Sequence, residues 1–282
     1  MTNGWMKAVR RGVAGLMAIG LLWLGAPHAA GETGAAQAPR AQDSAYEPQE
    51  GQEGKDVVWV PTHEAVVEAM LDLGRVTAAD RLIDLGAGDG RTVIAAARRG
   101  ATAHGIEYNA QMVELARRNA AAAGLAERTT VEEADLFEAD LSSATVITMF
   151  LLPSINLEVR PKLLALQPGT RIVSNSFNMG EWESDNHRTV EDGCTRWCTA
   201  LLWVVPAKVA GTWQIADDTL ELAQEFQMVS GTLGGAALTG GRLYGNQITF
   251  TVGATTYIAR VSGATMEGIA GGRPWRASRV EP

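Results

Sequence analysis

A short apolar segment followed by three alternating glycines, LIDLGAGDGR at residues 82–91, limits the folds that are open to this chain. The apolar part predicts a buried strand over residues 81–85, and residues 91–98 predict a helix that begins directly after the turn. Glycines between a strand and a helix permit a tight turn and leave backbone N–H groups free to face a ligand. The stretch therefore predicts a strand–turn–helix unit with a binding site at the turn.

The same alternation of strand and helix continues along the chain. Further strands are predicted over residues 103–107, 129–133, 145–151 and 171–176. A second helix is predicted over residues 110–123, and an earlier one is predicted to be capped by Thr62 and to end at Gly74. Strands and helices that alternate at this spacing predict an α/β fold, with a Rossmann-like sheet covered by helices on both faces.

The last part of the chain has a different texture. From about residue 201, seven apolar runs separated by glycine-containing turns, from LWVVP to PWRASRV, predict a meander of antiparallel strands. A meander of this length is expected to close into a small barrel or a strongly curved sheet, which hides its edges. Trp213 and Trp275 are expected in its core. Such a module is suited either to positioning a protein substrate or to forming a dimer, and the oligomeric state stays open.

The N-terminal segment resembles an export signal. Lys7, Arg10 and Arg11 precede an apolar run over residues 12–24, and small residues follow at Ala29 and Ala30. The run is short for a transmembrane helix, which needs about 20 residues. Residues 1–31 are therefore predicted to be a signal peptide, with a retained membrane anchor as the alternative, and the protein is predicted to be periplasmic or in the cell envelope.

Composition helps to divide the chain into domains. Residues 32–55 are polar and are predicted to be a flexible linker, followed by an α/β domain over residues 56–200 and a β domain over residues 201–282. The formal net charge of −8 and the lack of a basic stripe in the folded part argue against a nucleic-acid partner.

The cysteines and histidines do not predict a metal site. Cys194 and Cys198 are too few for structural zinc, and the sequence leaves open whether they form a disulfide or two buried thiols. His63, His104 and His187 are scattered without the spacing of metal ligands.

The acids that follow the glycine turn indicate the type of ligand. Glu107 ends the second predicted strand, where a carboxylate can accept hydrogen bonds from both ribose hydroxyls of a nucleoside. Asp135 follows the third strand, where it can accept a hydrogen bond from the exocyclic amine of adenine while Phe137 packs nearby. Nicotinamide and flavin enzymes place glycines at the first, third and sixth positions of the turn, whereas here Arg91 occupies the sixth. The pattern predicts a nucleoside site and disfavours a dinucleotide oxidoreductase.

With these features together, the chain resembles the class I S-adenosylmethionine-dependent methyltransferases. DLGAGDG is similar to their first motif, Glu107 to their ribose-binding acid, and ADLF to their adenine-contacting turn. WVPTHEAVVEAMLDL, DLFEADLSSATVITMFLLP and VRPKLLALQPGTRIVSNSFNMGEW resemble a bacterial group similar to the mitochondrial lysine methyltransferases that act on the ATP synthase c subunit and the adenine nucleotide translocase. The resemblance covers residues 57–182.

This resemblance implies an enzyme that uses S-adenosylmethionine to methylate a nitrogen, which in the family pattern is a protein lysine. It implies the following cofactor-binding residues: Pro61, Thr62, Gly86, Ala87, Gly88 and Gly90 at the methionine moiety, Glu107 and Asn109 at the ribose, and Asp135 and Leu136 at the adenine. Asp84 is expected near the loop, either beside the positive charges of the cofactor or bracing the loop through backbone N–H groups.

The acceptor side is less well defined by the sequence. The segment Phe150, Leu151, Leu152 and Pro153 replaces the polar motif that many amine methyltransferases carry after the fourth strand. No catalytic residue is predicted, and Asn156, Arg160 and Asn175 are expected to be capping or surface groups. The alternative function is an exported protein that binds the cofactor or a partner without turnover, because S-adenosylmethionine is made in the cytoplasm.

Overall fold

The computed structural model describes residues 46–280. The predicted signal peptide and the first part of the predicted linker, residues 32–45, lie outside the described residues. Within residues 46–280, none of the helices is both long enough and apolar enough to cross a membrane.

The described part of the chain begins with an α/β domain. Its helices are α1 Glu64–Leu73, α2 Arg91–Arg98, α3 Ala110–Ala122 and α4 Pro153–Leu164. Its strands are β1 Arg81–Leu85, β2 Thr102–Glu107, β3 Thr129–Glu133, β4 Val146–Met149, β5 Arg171–Asn175, β6 Asn186–Thr189 and β7 Thr199–Val204. The strands form one sheet in the order β3-β2-β1-β4-β5-β7-β6, in which β1 to β5 are parallel and β7 is antiparallel to both of its neighbours.

Helices cover both faces of this sheet, as predicted. Leu82 of β1 packs in a core with residues of α1, α2 and α3. Leu85, on the opposite face of β1, packs with α4 through residues such as Val159. The predicted fold class is therefore confirmed, and the carboxyl ends of β1 to β5 lie along a single edge of the sheet.

One local expectation in this domain is wrong, and one helix is not predicted. The N-cap of α1 is His63, whose Nδ1 accepts a hydrogen bond from the Ala65 N–H at 3.3 Å, so Thr62 does not cap the helix. The sequence does not predict helix α4, because Pro161 lies inside it and its apolar residues show little helical periodicity. Pro153 occupies its first turn, where the missing N–H of proline costs no helical hydrogen bond.

The predicted boundary at residue 200 is also wrong. The LWVVP run, which the sequence places in the β module, lies in β7 and pairs with β5 in the first sheet. An apolar run of this length fits the middle of a covered sheet as well as a barrel, so its composition cannot assign it to one module.

The rest of the chain forms a closed antiparallel barrel of eight strands. They are β8 Gly211–Ile215, β9 Asp218–Glu225, β10 Met228–Leu233, β11 Ala236–Tyr244, β12 Gln247–Val252, β13 Thr255–Ser262, β14 Thr265–Ala270 and β15 Arg273–Arg279. The predicted closure is confirmed. The barrel has eight strands rather than seven because LWVVP joins the first sheet, while two of the predicted runs each hold two strands, which turn at Phe226–Gln227 and at Gly245–Asn246. Trp213 is fully buried in the barrel core, and Trp275 packs edge-on to Phe250.

The barrel packs against the α/β domain through the turn between β9 and β10 and through β11. Phe226 stacks on Trp182, with ring centroids 6.1 Å apart, and Gln227 Nε2 donates to the Glu183 carbonyl at 2.8 Å. Arg242 pairs with Asp185 at 2.7 Å. These contacts lie away from the carboxyl edge of β1 to β4.

Candidate active site

A cleft opens at the carboxyl ends of β1, β2, β3 and β4. It encloses about 1040 Å³, including the solvent at its mouth. It is lined by these predicted residues: Pro61, Thr62, Asp84, Gly86, Ala87, Gly88, Glu107, Asn109, Asp135, Leu136, Phe150 and Leu151. Gly90, Leu152 and Pro153 do not line it.

The glycine turn forms the floor of the cleft and is tied to the neighbouring strand. The N–H groups of Gly86 and Ala87 both donate to the Ile106 carbonyl, at 2.9 and 3.0 Å. Gly88 has φ of +54°, and a Cβ there would lie 2.7 Å from Trp59 Nε1. A side chain at residue 88 would therefore displace the indole that covers the turn.

Gly90 does not line the cleft and instead lets α2 and α3 pack closely. A Cβ at Gly90 would lie 2.9 Å from the Ala116 Cβ of α3.

Glu107 holds the next side of the cleft. Its Oε2 accepts from the Gly88 N–H and its Oε1 from the Asn109 N–H, both at 2.9 Å. Each carboxylate oxygen has a second lone pair, so the side chain is fixed by the protein and can still accept two hydrogen bonds from a ligand. The Asn109 side-chain oxygen caps α3 by accepting from the Gln111 N–H at 2.9 Å, so this oxygen is used by the helix.

Asp135 lies at the far end of the cleft from β1. Its Oδ1 accepts from the Phe137 N–H at 2.9 Å, and its Oδ2 lies 2.6 Å from Lys55 Nζ. The hydrogen bond from Lys55 is the largest of the contacts that hold the pKa of the Asp135 carboxyl below its usual value. The Lys55 ammonium group also lies 5.1 Å from the Tyr108 ring centroid.

Asp84 lies buried beneath the turn. Its Oδ1 accepts from the Thr148 hydroxyl at 2.6 Å, so its bond goes to a hydroxyl rather than to the backbone N–H groups that were one expectation. Desolvation by burial is the largest influence and raises the pKa of Asp84 to about 7, although hydroxyl hydrogen bonds from Thr148 and Thr92 oppose it. The negative charges of Glu107 and Asp89 add to the rise.

Asp89 occupies the anion position at the start of α2. Its Oδ1 accepts from the Arg91 backbone N–H at 3.2 Å, and its two carboxylate oxygens accept from the Arg91 guanidinium at 3.0 and 2.6 Å. Arg91 also donates to the Thr62 carbonyl at 2.8 Å, which ties the turn to the start of α1. A helix N-terminus is the usual place for a phosphate. Here a carboxylate of the chain itself fills that place, which disfavours a pyrophosphate ligand.

Residues 46–60 lie over the cleft and are not predicted by the sequence to be part of the site. Gln52 and Trp59 pair through a backbone hydrogen bond of 2.9 Å between the Trp59 N–H and the Gln52 carbonyl, and Gln52, Lys55 and Trp59 all contact the cleft. The domain therefore starts earlier than the predicted boundary at residue 56. The apolar run VVWV at residues 57–60 was the available signal for the part of this segment next to Pro61, whereas residues 46–55 carry no such signal.

The residues beyond β4 and β5 differ from the sequence expectations. Asn156 and Asn175 are buried rather than at the surface. Asn156 Nδ2 donates to the Phe177 carbonyl at 3.2 Å, and Asn175 Nδ2 lies 3.5 Å from Thr62 Oγ1. Arg160 donates to the Met179 carbonyl at 2.7 Å, so it holds the chain segment that follows β5.

Cys194 and Cys198 form a disulfide. The sequence left open whether they pair or remain two buried thiols, and the structure shows the pair.

The chemistry of the cleft fits S-adenosylmethionine. Its lining includes Asp84, Asp89, Glu107 and Asp135, and an acidic cleft suits a ligand with a sulfonium and an ammonium group. Glu107 has free acceptor positions for ribose hydroxyls, and Asp135 for an adenine amine once Lys55 shifts. Apart from Gly90, the predicted cofactor-binding residues all line this cleft, and their role in holding the cofactor stays a prediction.

Comparison with known proteins agrees with this chemistry. The family model of the ANTKMT methyltransferase domain matches residues 84–186. A protein-lysine N-methyltransferase of Saccharolobus islandicus is 41% identical over 140 residues, which cover 49% of this chain and 87% of that protein. The adenine nucleotide translocase lysine N-methyltransferase of Mus musculus is 37% identical over 105 residues, covering 36% of this chain and 46% of that protein.

The human lysine N-methyltransferase of the ATP synthase c subunit is 34% identical over 117 residues, covering 41% of this chain and 50% of that protein. This chain thus spans about half the length of the two mammalian relatives. Among solved structures, an RNA methyltransferase from Salinibacter ruber in complex with S-adenosyl-L-homocysteine is 46% identical with a TM-score of 0.50. That match covers 53% of this chain and 96% of the other. The family model ends before the barrel begins at Gly211.

Proposed function

Since this chain belongs to the family of S-adenosylmethionine-dependent protein-lysine N-methyltransferases, we propose that it methylates the side-chain nitrogen of a lysine in a protein. S-adenosylmethionine, when bound, would supply a methyl group on a positively charged sulfur; a neutral amine that attacks the methyl carbon displaces the sulfur as a thioether, and the resulting ammonium can lose a proton to solvent. The observation that carries the proposal is the carboxylate of Glu107, fixed by Gly88 and Asn109 with acceptor positions facing the cleft.

The residues of the cleft contribute mainly position and charge. Glu107 would hold the ribose, Asp135 would accept from the adenine amine, and the glycine turn would lie at the methionine moiety. Phe150 and Leu151 follow β4 and line the cleft, which supports them as the side from which the acceptor would enter. Aligning an amine with a methyl group can supply much of the rate enhancement of such a displacement, so this site needs no general base if the lysine arrives neutral.

A lysine acceptor also agrees with the charge of the protein. The net charge of −8 favours a cationic partner over a polyanion. The Salinibacter protein is named an RNA methyltransferase. RNA is therefore the competing acceptor that an experiment must separate from protein lysine.

We also propose that the protein works outside the cytoplasm. The signal-like N-terminal sequence supports this, and so does the disulfide between Cys194 and Cys198, since disulfides persist in oxidising compartments. Cell fractionation, with the N-terminus of the mature protein determined by mass spectrometry, tests the proposal. An uncleaved protein in the soluble cytoplasmic fraction contradicts it.

The test of function begins with titration of S-adenosylmethionine and S-adenosylhomocysteine into the full chain by calorimetry. Glu107→Ala is expected to weaken both by about 10- to 100-fold, because hydrogen bonds to a charged acceptor are worth about 1.5–3 kcal/mol. Glu114→Ala is the matched control: Glu114 pairs with Arg117 at 2.7 Å in an exposed i,i+3 ion pair on α3, away from the cleft lining.

The second step offers radiolabelled cofactor with cell-envelope proteins and, separately, with total RNA. Label on protein that mass spectrometry assigns to lysine, and that disappears with Glu107→Ala, supports the proposal. Label on RNA alone contradicts it. Tight cofactor binding without transfer to either acceptor favours the alternative of a binding protein without turnover.

A further inference from the structure

Three aromatic rings meet beside the cleft at the carboxyl edge of the sheet. Phe150 follows β4, Phe177 follows β5, and Trp197 precedes β7, which runs in the opposite direction and so begins at this edge. Phe150 stacks on Phe177 with centroids 5.8 Å apart and an interplanar angle of 13°. Trp197 meets Phe150 edge-on at 5.7 Å and 63°. Phe150 is thus held by two other rings while it lines the cleft.

The disulfide holds Trp197 in this place. Cys194 and Cys198 close a five-residue loop in which Trp197 has φ of +56°, a backbone conformation that bulky residues rarely adopt. The Arg196 guanidinium carbon lies 4.9 Å from the Trp197 ring centroid, so a cation of the same loop already lies over the indole. Because Arg196 covers one part of the indole, the contact of Trp197 with the cleft wall is its edge contact with Phe150.

The bridged loop also contacts the other wall of the cleft. Cys194 packs against a core cluster that contains Val66 and Met70 of α1, and Met70 lines the cleft. A Cβ at Gly193 would lie 3.9 Å from His63 Cε1, next to Thr62. The bridged loop and Gly193 before it thus contact α1 on one side and Phe150 on the other, and both α1, through Met70, and Phe150 line the cleft.

These contacts suit a long side chain with an apolar stem and a cationic end. Aromatic rings pack against methylene groups and attract ammonium groups through their negative faces. Glu191 and Asp192, which precede the bridged loop, are exposed, and their negative charges favour the approach of a cation. Neither acid needs to contact the amine for this effect.

We propose that Phe150 forms the wall of an alkyl-ammonium subsite for the acceptor lysine, and that Trp197, held by the Cys194–Cys198 disulfide, is the residue that positions it. The inference rests on the proposed function, because it assigns an acceptor subsite to the same cleft. Reduction of the disulfide releases Trp197 and loosens the wall without removing any group that holds the cofactor.

The test measures binding of Nα-acetyl-lysine methylamide to the full chain saturated with S-adenosylhomocysteine, by NMR titration. Trp197→Ala is expected to weaken binding of this lysine analogue by about three- to tenfold, the range that corresponds to loss of one aromatic pair. Trp197→Phe, which keeps a ring, is expected to restore most of it. Tyr244→Ala, which removes an exposed aromatic ring from the barrel, is the matched control and should change nothing.

The disulfide is tested with the same probe. Dithiothreitol should weaken analogue binding to the wild type to the level of Trp197→Ala, and the Cys194→Ser, Cys198→Ser double variant should show that weaker binding with or without reductant. The affinity for S-adenosylhomocysteine should stay within about twofold throughout, which also verifies that each variant is folded. If Trp197→Ala does not fold, Trp197→Phe and reduction of the wild type decide the outcome.

Unchanged analogue affinity in Trp197→Ala and in the reduced wild type overturns the inference, as does a wild type that does not bind the analogue at all. A protein that binds the analogue as expected but methylates no protein lysine contradicts the proposed function instead. A protein that methylates lysine with no effect of Trp197 or the disulfide on analogue affinity contradicts only the inference.

Discussion

Lys55 places its ammonium group 2.6 Å from the Asp135 carboxylate, at the end of the cleft where an adenine ring is expected. Both side chains are partly exposed, at 33% and 27%, and ion pairs of this kind are worth about 0–1 kcal/mol. The pair can therefore separate at little cost when a ligand approaches Asp135. In this respect Lys55 competes with the adenine amine for one carboxylate.

The first prediction follows from this competition. Lys55→Gln is expected to tighten binding of S-adenosylmethionine by no more than about fivefold, because it frees Asp135 at the cost of a weak ion pair. Asp135→Ala is expected to weaken binding by about tenfold. Calorimetric titration of both variants measures this, and a Lys55→Gln variant that loses affinity as Asp135→Ala does would place Lys55 on the ligand.

Stability should fall as pH rises because of Asp84. Its carboxyl has a pKa of about 7 in the folded protein, raised mainly by burial from the ordinary value of 3.8. The native state therefore holds this proton between pH 4 and 7 while the unfolded chain has released it. The contribution of the group is full below pH 4 and is lost as pH rises to 7, by at most about 1.4 kcal/mol per pH unit.

The variant that tests this is Asp84→Asn, which resembles the protonated acid and does not titrate. Urea unfolding at pH 5, 6, 7 and 8 should show the wild type losing stability relative to Asp84→Asn up to about pH 7 and no further. Asp140→Asn is the control, because hydrogen bonds from Ser142 lower the pKa of that exposed acid. Parallel curves for the wild type and Asp84→Asn would mean that Asp84 is ionised in the folded protein throughout this range.

The same group should make cofactor selectivity depend on pH. S-adenosylmethionine carries a sulfonium charge that S-adenosylhomocysteine lacks, so an ionised Asp84 favours the former. The ratio of the two affinities is expected to rise between pH 6 and 8 in the wild type and to stay constant in Asp84→Asn. Titrations of both ligands at these pH values measure the ratio, and a flat ratio in the wild type would place the sulfonium beyond the influence of Asp84.

The parts of the site that can be predicted from the sequence are those fixed by local geometry. A strand, a glycine turn and an acid at the end of the next strand determine where Glu107 lies, because parallel strands end at one edge of the sheet. The same rule places Asp135 and Phe150 correctly at the cleft. It fails for Gly90, whose role is contact with Ala116 and depends on how α3 packs rather than on the turn.

The parts that cannot be predicted depend on tertiary contacts. Lys55 ends the segment that is predicted to be a linker, and only its contact with Asp135 shows its place in the site. The LWVVP run is assigned to the wrong module because an apolar strand carries no mark of the sheet that it joins. The role proposed for Trp197 depends on where β7 begins. Because β7 holds the start of the LWVVP run, the wrong assignment of that run also hides the contact between Trp197 and Phe150.

The last prediction concerns the contact between the two folded parts. Asp185 is almost fully buried, with 1% of its side chain exposed, and it accepts from the Val204 N–H at 2.8 Å and from Arg242 at 2.7 Å. Arg242→Ala leaves this carboxylate buried with one charged partner fewer. We expect the free energy of unfolding to fall by about 1–3 kcal/mol. The loss is limited because Arg242 itself is 43% exposed and water can replace part of its contact.

Arg276→Ala is the matched control, since Arg276 pairs with Glu267 on the barrel surface with side chains that are 64% and 62% exposed. Its loss should change the free energy of unfolding by less than about 0.5 kcal/mol. Urea unfolding of both variants, followed by tryptophan fluorescence, measures the difference. If Arg242→Ala costs as little as the control, the barrel is held by its other contacts, among them those of Phe226 and Gln227. In that case, truncation of Phe226, whose ring stacks on Trp182, should separate the unfolding of the barrel from that of the α/β domain.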